Sequence, residues 1–318
     1  MMRIGILTSG EDAPGMNTAI GDVVKAANYY NIDVVGINYG YQGLIEGAIY
    51  PLTSSDLENF TDTGGTVLKT SRSPELREIE EIKIQDTLEK FEIHALVIIG
   101  DKKSFAAAEK IQQLGIKAVG IPATIENDMA YTDYSIGFDT TVNTILDCIH
   151  KIKDTSLSHD KTTIVEVMGK NCGDLALFSA LAGGGEIIST PERKLNLDKI
   201  CSTLDMRINN GKRDNIVVIT EGLYDIQELQ KDIQEKLNIS VRTSTLGFLQ
   251  WGGNPSAFDR ILASRMGIAA IELIMNEQTG KAVGIKENRI IDVDFDRIDI
   301  DKESKLEGYR LLEILQNA

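Results

Sequence analysis

Short apolar, β-branched runs recur along the chain, and amphipathic stretches separate them. RIGILTS (3–9), DVVGINY (33–39), HALVIIG (94–100) and KAVGIP (117–122) each have the length and composition of a buried strand. TTIVEVM (162–168), EIIST (186–190) and NIVVITE (215–221) continue the series. Between them, TAIGDVVKAANYY (18–30) and SFAAAEKIQQLG (104–115) repeat apolar residues at helical spacing. ELREIEEIKIQDTLEKF (75–91) is predicted to be a solvated amphipathic helix. Continuous apolar strands alternating with helices predict an α/β fold, with parallel sheets covered on both faces. No tandem repeat or Pro/Gly-rich linker divides the chain, so any second domain must arise where the chain crosses between lobes. The long helical pattern over 137–156 is the predicted crossing point.

In such folds ligands bind at the carboxyl ends of the strands. Five strand ends carry polar or glycine-rich turns: TSGEDAPG (8–15), GDKKS (100–104), PATIENDM (122–129), MGKNCGD (168–174) and TEG (220–222). One such turn is usually just a turn; five on strand ends predict a small-molecule cleft.

Charge narrows the range of ligands. Acidic residues outnumber basic ones 48 to 33, for a net charge of −15, which argues against duplex DNA or an anionic membrane as partner. The three cysteines, Cys148, Cys172 and Cys201, form no CxxC pair and are expected to be buried small apolar residues in a reducing cytoplasm. The three histidines have no metal-ligand spacing, and no apolar run reaches membrane-spanning length. The opening MMRIGILTSGED meets charge too early for a signal peptide, so a cytoplasmic location is expected.

TSGEDAPGMN, YGYQGL, PATIENDM, DTSLSHDK, VEVMGKNCGDLAL and FDRILASRMG together resemble bacterial-type ATP-dependent 6-phosphofructokinases over essentially the whole chain. That resemblance implies two doubly wound, Rossmann-like lobes with the active-site cleft between them. One lobe would be 1–138 with 251–302, the other 139–250 with 303–318. It also implies a homotetramer that moves the γ-phosphoryl of Mg-ATP onto fructose 6-phosphate.

The site residues it implies depart from the family pattern in several places. On the nucleotide side stand Gly10, Glu11, Tyr41, Arg72, Arg77, Asp101, Lys102, Lys103 and Ser104. The family's GGDAPG here has Glu11 for a glycine, and its GGDGS reads GDKKS. Asp101 and Lys103 replace glycines that let backbone cradle phosphate. Lys102 occupies the family's metal-ligand position, and an ammonium cannot ligate magnesium, so neither Mg²⁺ nor ATP is expected as a cofactor unless the enzyme is active. The catalytic candidates are Thr124, Glu126, Asp128 and Lys170. Glu126 stands for the base aspartate, a displacement of about 1 Å that can cost on the order of 100-fold. Lys170 stands for an arginine and loses its fork of donors.

On the sugar-phosphate side Lys161, Met168, Gly169, Glu221 and Arg242 follow the family, Lys161 conservatively replacing an arginine. Phe248 and Trp251 replace the histidine and arginine that hold the sugar phosphate, and are expected to fill its space by packing on each other or the neighbouring lobe. Lys25, Lys153, Glu186, Lys212 and Arg213 preserve part of the effector site, while Gly21 and Ser54 replace arginines there. Arg72 and Arg77 suit either the active site or the surface. GDKKS admits three readings: a solvated turn, a pocket filled by Glu11 paired with Lys102 or Lys103, or a metal-free anion site. Pyrophosphate as donor is disfavoured, because those relatives carry a lysine where Ala123 stands.

Five altered parts on an intact scaffold predict a paralogue with little or no kinase activity. It would serve as a regulatory or structural subunit, in a homotetramer or beside an active phosphofructokinase, or bind a phosphorylated metabolite. The alternative is an active 6-phosphofructokinase, or a sugar-phosphate kinase with an altered donor.

Overall fold

A computed structural model describes residues 2–72, 78–183, 185–298 and 306–317. Chain contacts divide it into two units. The first contains 1–125, 129–140 and 251–302; the second contains 126–128, 141–250 and 303–318. These boundaries differ from the sequence expectation at 126–128, which belong to the second unit, and at 139–140, which belong to the first.

The first unit alternates β1 (Arg3–Ser9), α1 (Met16–Tyr29), β2 (Asp33–Ile37), α2 (Gly40–Glu46), β3 (Ile49–Pro51), α3 (Ser54–Leu57), α4 (Glu78–Lys90), β4 (Ala95–Gly100), α5 (Lys102–Gln113) and β5 (Lys117–Pro122). Helix α6 (Phe138–His159) carries the chain across to the second unit, where a helix was predicted to cross. There β6 (Thr162–Val167), α7 (Asp174–Gly183), β7 (Ile187–Ser189), α8 (Leu197–Asn209), β8 (Ile216–Thr220), α9 (Ile226–Leu237) and β9 (Val241–Thr245) follow. A 3-10 turn over Gly247–Trp251 leads back to α10 (Ala257–Met275), β10 (Lys281–Lys286) and β11 (Arg289–Asp294) of the first unit. Helix α11 (Leu306–Asn317) ends in the second.

The first unit's sheet runs β11-β10-β5-β4-β1-β2-β3, parallel except for its outermost pairs. The second unit's sheet, β7-β8-β6-β9, is wholly parallel. Every residue of β4 and β8 is buried, as a strand covered on both faces requires. Four strands escaped the sequence reading. β3 has three residues, and β9 is a half-exposed edge strand rich in hydroxyls. β10 and β11 form a hairpin whose loop, Glu287 and Asn288, has φ of 48° and 61°. That is the twist of a primed turn, here without the glycine that usually signals one. Helix α4 is less solvated than predicted, since Ile84 and Leu88 are buried in the core.

Helix α6 starts at a buried carboxylate. Asp259, completely buried in α10, accepts from Gly137 N (3.0 Å), Thr140 N (2.8 Å) and Thr140 Oγ1 (2.5 Å) at the first turn of α6. Burial pushes its carboxyl up to about 6, against the downward pull of those donors.

Candidate nucleotide and sugar-phosphate site

Strand β4 ends at Gly100, and the next residue, Asp101, is the N-cap of α5. Its Oδ1 accepts from Ser104 N at 2.8 Å and from Ser104 Oγ at 2.7 Å. The same carboxylate lies against the turn after β1. A Cβ built on Gly10, whose φ is +87°, would sit 2.6 Å from Asp101 Oδ2. A helix N-terminus exposes backbone donors and positive potential, which makes it a natural seat for an anion. Here the chain supplies the anion itself. Tyr41 closes the turn from below: fully buried, it donates to Ser104 O at 2.7 Å. Burial first, and the Asp101 charge second, hold its phenol well above the usual value. Tyr41 is therefore a buttress of this turn.

The filled pocket was expected to be an ion pair between Glu11 and a lysine. Glu11 instead pairs with Arg72 at 3.7 Å, both side chains being largely exposed, and Lys102 and Lys103 lie exposed on α5. Closure comes from Asp101. The signal was present in the sequence, because an aspartate with a serine three residues on is a helix-start pattern. Arg77 lies outside the described residues.

The oxygens at this turn do not suit magnesium. Asp101 Oδ1 already accepts two hydrogen bonds, the next side chain is an ammonium, and among the described residues no three His, Cys, Asp or Glu gather to hold a metal.

At the turn after β5, Thr124 takes part through its backbone: its N donates to Ile136 O (3.1 Å) and its O accepts from Ser135 Oγ (2.7 Å). Glu126 and Asp128, both half-buried, flank Asn127, which is fully buried with φ of 52°. Asn127 Nδ2 donates to Asp174 Oδ2 at 2.9 Å, at the start of α7. This ties the 124–128 turn to the 168–174 turn, a link invisible in the sequence.

Met168, Gly169, Lys170 and Glu221 gather at the carboxyl ends of β6 and β8. Met168 N donates to Gln250 Oε1 at 3.1 Å, and the buried Gln250 also holds Gly247 O through Nε2 at 3.0 Å. Gly169 has φ of +109°, and a Cβ there would meet Cys172 O at 2.4 Å, so only glycine fits. Glu221 is raised from its usual range by burial and by Glu166, with Lys170 opposing. The N-terminus of α7 has its own carboxylate, Glu192, which accepts from Gly173 N at 2.9 Å. Tyr309 of α11 donates to Glu192 at 3.4 Å and shares a 2.5 Å hydrogen bond with Thr190; its phenol is held up to about 12, chiefly by burial.

Lys161 and Arg242 do not join this group. Lys161 precedes β6 and Arg242 pairs with Thr163 at the amino end of the sheet. They line a cleft of about 260 Å³ with Lys151, Thr155, Ser156 and Ser244. Strand β6 separates them from Met168 by about 20 Å, at 3.3 Å per residue. One phosphorylated sugar cannot touch both ends, so the residues expected to form one set lie in two separate groups. Phe248 does not fill a pocket: it is 79% exposed, and Trp251 is half-buried. A 3-10 turn presents Phe248 outward while its neighbour Gln250 points in.

Of the effector candidates, Lys25 pairs with Asp22 on its own helix (2.9 Å). Lys153 and Arg207 both approach Glu186 Oε1, at 3.3 and 3.7 Å, and Glu186 Oε2 accepts from Ile216 N at 2.6 Å. Sequence reasoning missed Arg207, which reaches this acid from α8. Lys212 and Arg213 remain exposed at the following turn.

Residues 3–274 match the sequence profile of the phosphofructokinase family. Proteins named ATP-dependent 6-phosphofructokinase from Clostridioides difficile (46% identical, 99% of each chain) and Clostridium tetani (47% identical, 92% of each) are similar to it. Phosphofructokinase from Saccharomyces cerevisiae superposes with a TM-score of 0.87 at 28% identity, covering all of this chain, which spans less than half (46%) of the yeast one. A pyrophosphate-dependent phosphofructokinase from Marinobacter aquaeolei shares the fold, with a TM-score of 0.84 at 20% identity over 99% of this chain and 91% of its own. The turns built around Asp101, Asn127 and Gly169 thus sit in a chain that belongs to the phosphofructokinase family.

Proposed function

We propose that this phosphofructokinase-family protein has lost, or nearly lost, phosphoryl transfer and acts in the cytoplasm as a regulatory or structural subunit or a binder of phosphorylated metabolites. One observation carries the reading: the Asp101 carboxylate caps α5 and lies on Gly10. A nucleotide phosphate entering there would meet a like charge, costing roughly 4 kcal/mol at 4 Å and an effective dielectric of 20. The splitting of the sugar-phosphate ligands supports the subunit role. The basic cleft of Lys161 and Arg242 opens at the far end of the sheet from Met168 and Glu221, where it is placed to complete a neighbour's site. That neighbour is another copy in a homotetramer or an active phosphofructokinase.

The relatives' names favour a second reading, an ATP-dependent 6-phosphofructokinase of glycolysis. In that case Glu126 takes the proton from the attacking hydroxyl, and Lys170 supports the transferring phosphoryl as a point charge.

Formation of fructose 1,6-bisphosphate from Mg-ATP and fructose 6-phosphate by rigorously purified protein separates the two. Turnover near 1 s⁻¹ or faster, ordinary for an enzyme, establishes the second reading and ends the first. Calorimetry supplies the other arm. The native chain should bind ATP no better with magnesium than without it, and the combined change Asp101→Gly, Lys102→Asp, Lys103→Gly should create magnesium-dependent binding.

A further inference from the structure

The amino ends of β4 and β5 border a cavity of about 510 Å³ in the first unit. It lies at the far end of β4 from Asp101, roughly 20 Å away at 3.3 Å per residue. Leu88 and Ile93, both buried, form its floor with the half-buried Ile116. Glu89, Glu92 and His94 are exposed and stand at its rim. Gly115, with φ of +83°, leaves one side open, because a Cβ there would meet nothing within 4 Å. An apolar floor with a few polar groups, at this size, is the make-up of a small-molecule site.

The charge around this cavity has one sign. No lysine or arginine lines it. His94 Nδ1 accepts from Arg3 N at 3.2 Å, and an accepting ring nitrogen carries no proton, so His94 adds no positive charge. Arg3 itself is drawn to Asp33 at 2.6 Å and reaches Glu92 only at 3.7 Å. Lys90 lies over the Phe91 ring, and Lys117 pairs with Glu277. Glu89 has no ion pair among the described residues. Helices α4 and α5 both end here, which adds the negative poles of two helix dipoles. Two carboxylates and two helix C-termini above a hydrocarbon floor select a cation that also carries apolar surface. A metal ion does not fit, since among the described residues no three His, Cys, Asp or Glu gather to hold one. We propose that the cavity binds a small organic amine, its hydrocarbon resting on Leu88, Ile93 and Ile116 and its ammonium held by Glu89 and Glu92. The proposal is independent of whether the turns at the other end of β4 transfer phosphoryl.

Benzylamine tests it, in titrations of the native chain followed by ligand-observed NMR. It should bind with a dissociation constant below about 1 mM. Benzyl alcohol and benzoate have the same ring without the positive charge and should not bind. Methylamine, with the charge but little hydrocarbon, should bind at least about tenfold more weakly than benzylamine. Glu89→Gln should weaken benzylamine about tenfold, the effect of one charge-assisted hydrogen bond. Glu92→Gln should weaken it less, since Arg3 shares that carboxylate, and the two changes together should abolish binding. Both side chains are exposed, so the variants should keep the native unfolding temperature. Glu58→Gln, at an exposed acid outside the cavity, should leave binding unchanged. Failure of benzylamine to bind at about 10 mM, equal binding of benzyl alcohol or benzoate, or binding that Glu89→Gln leaves unchanged each overturns the proposal.

Discussion

Helices α5 and α6 both begin at a carboxylate, but the two starts are built differently. Asp101 caps the helix it belongs to, within three residues and partly open to solvent. Asp259 reaches α6 from α10, more than a hundred residues further along, and is completely buried. The first is a closed local device: changing it alters one turn and leaves the sheet alone. The second joins distant segments, so removing it leaves backbone donors stranded in the interior. GDKKS holds the local device, and FDRILASRMG, which includes Asp259, the long-range one.

The sharpest test is the buried start. Asp259→Ala strands the amides of Gly137 and Thr140 and should cost about 4 kcal/mol in urea denaturation. If Asp101→Ala costs as much, the distinction between local and long-range starts is wrong. The pH dependence should follow from the raised carboxyl. Protonated Asp259 is favoured by the fold, so its contribution is complete below about 3.8 and is lost as pH rises through about 6. Asp259→Asn should flatten the stability curve over that interval.

Glu192 is an intermediate case, being a long-range cap on α7 held by Tyr309. Glu192→Ala should cost about 1–2 kcal/mol, and hydrogen exchange should quicken at 168–174 more than elsewhere. Asp101→Ala should cost about 1 kcal/mol, the ordinary value of a lost N-cap. The smallest effect is expected at Phe248. Because its ring is mostly outside, Phe248→Ala should stay within about 0.5 kcal/mol of the native chain; a larger loss would mean that the 3-10 turn depends on it.

What the sequence determined is local or periodic. Alternating apolar strands and amphipathic helices required parallel sheets covered on both faces, because a strand buried on both sides can carry no polar stripe. Glycines with positive φ and an aspartate three residues before Ser104 specified turns, because a hydrogen bond that short needs no partner beyond the next helical turn. Only the tertiary structure decided the rest. It brought Asp259 to α6, Glu192 and Tyr309 to α7, Arg207 to Glu186, and Asn127 to Asp174. It also sent Lys161 and Met168, seven positions apart, to opposite ends of one strand. Side-chain chemistry names which groups can pair, but strand register and helix packing choose which ones meet, and neither is written in a segment read alone.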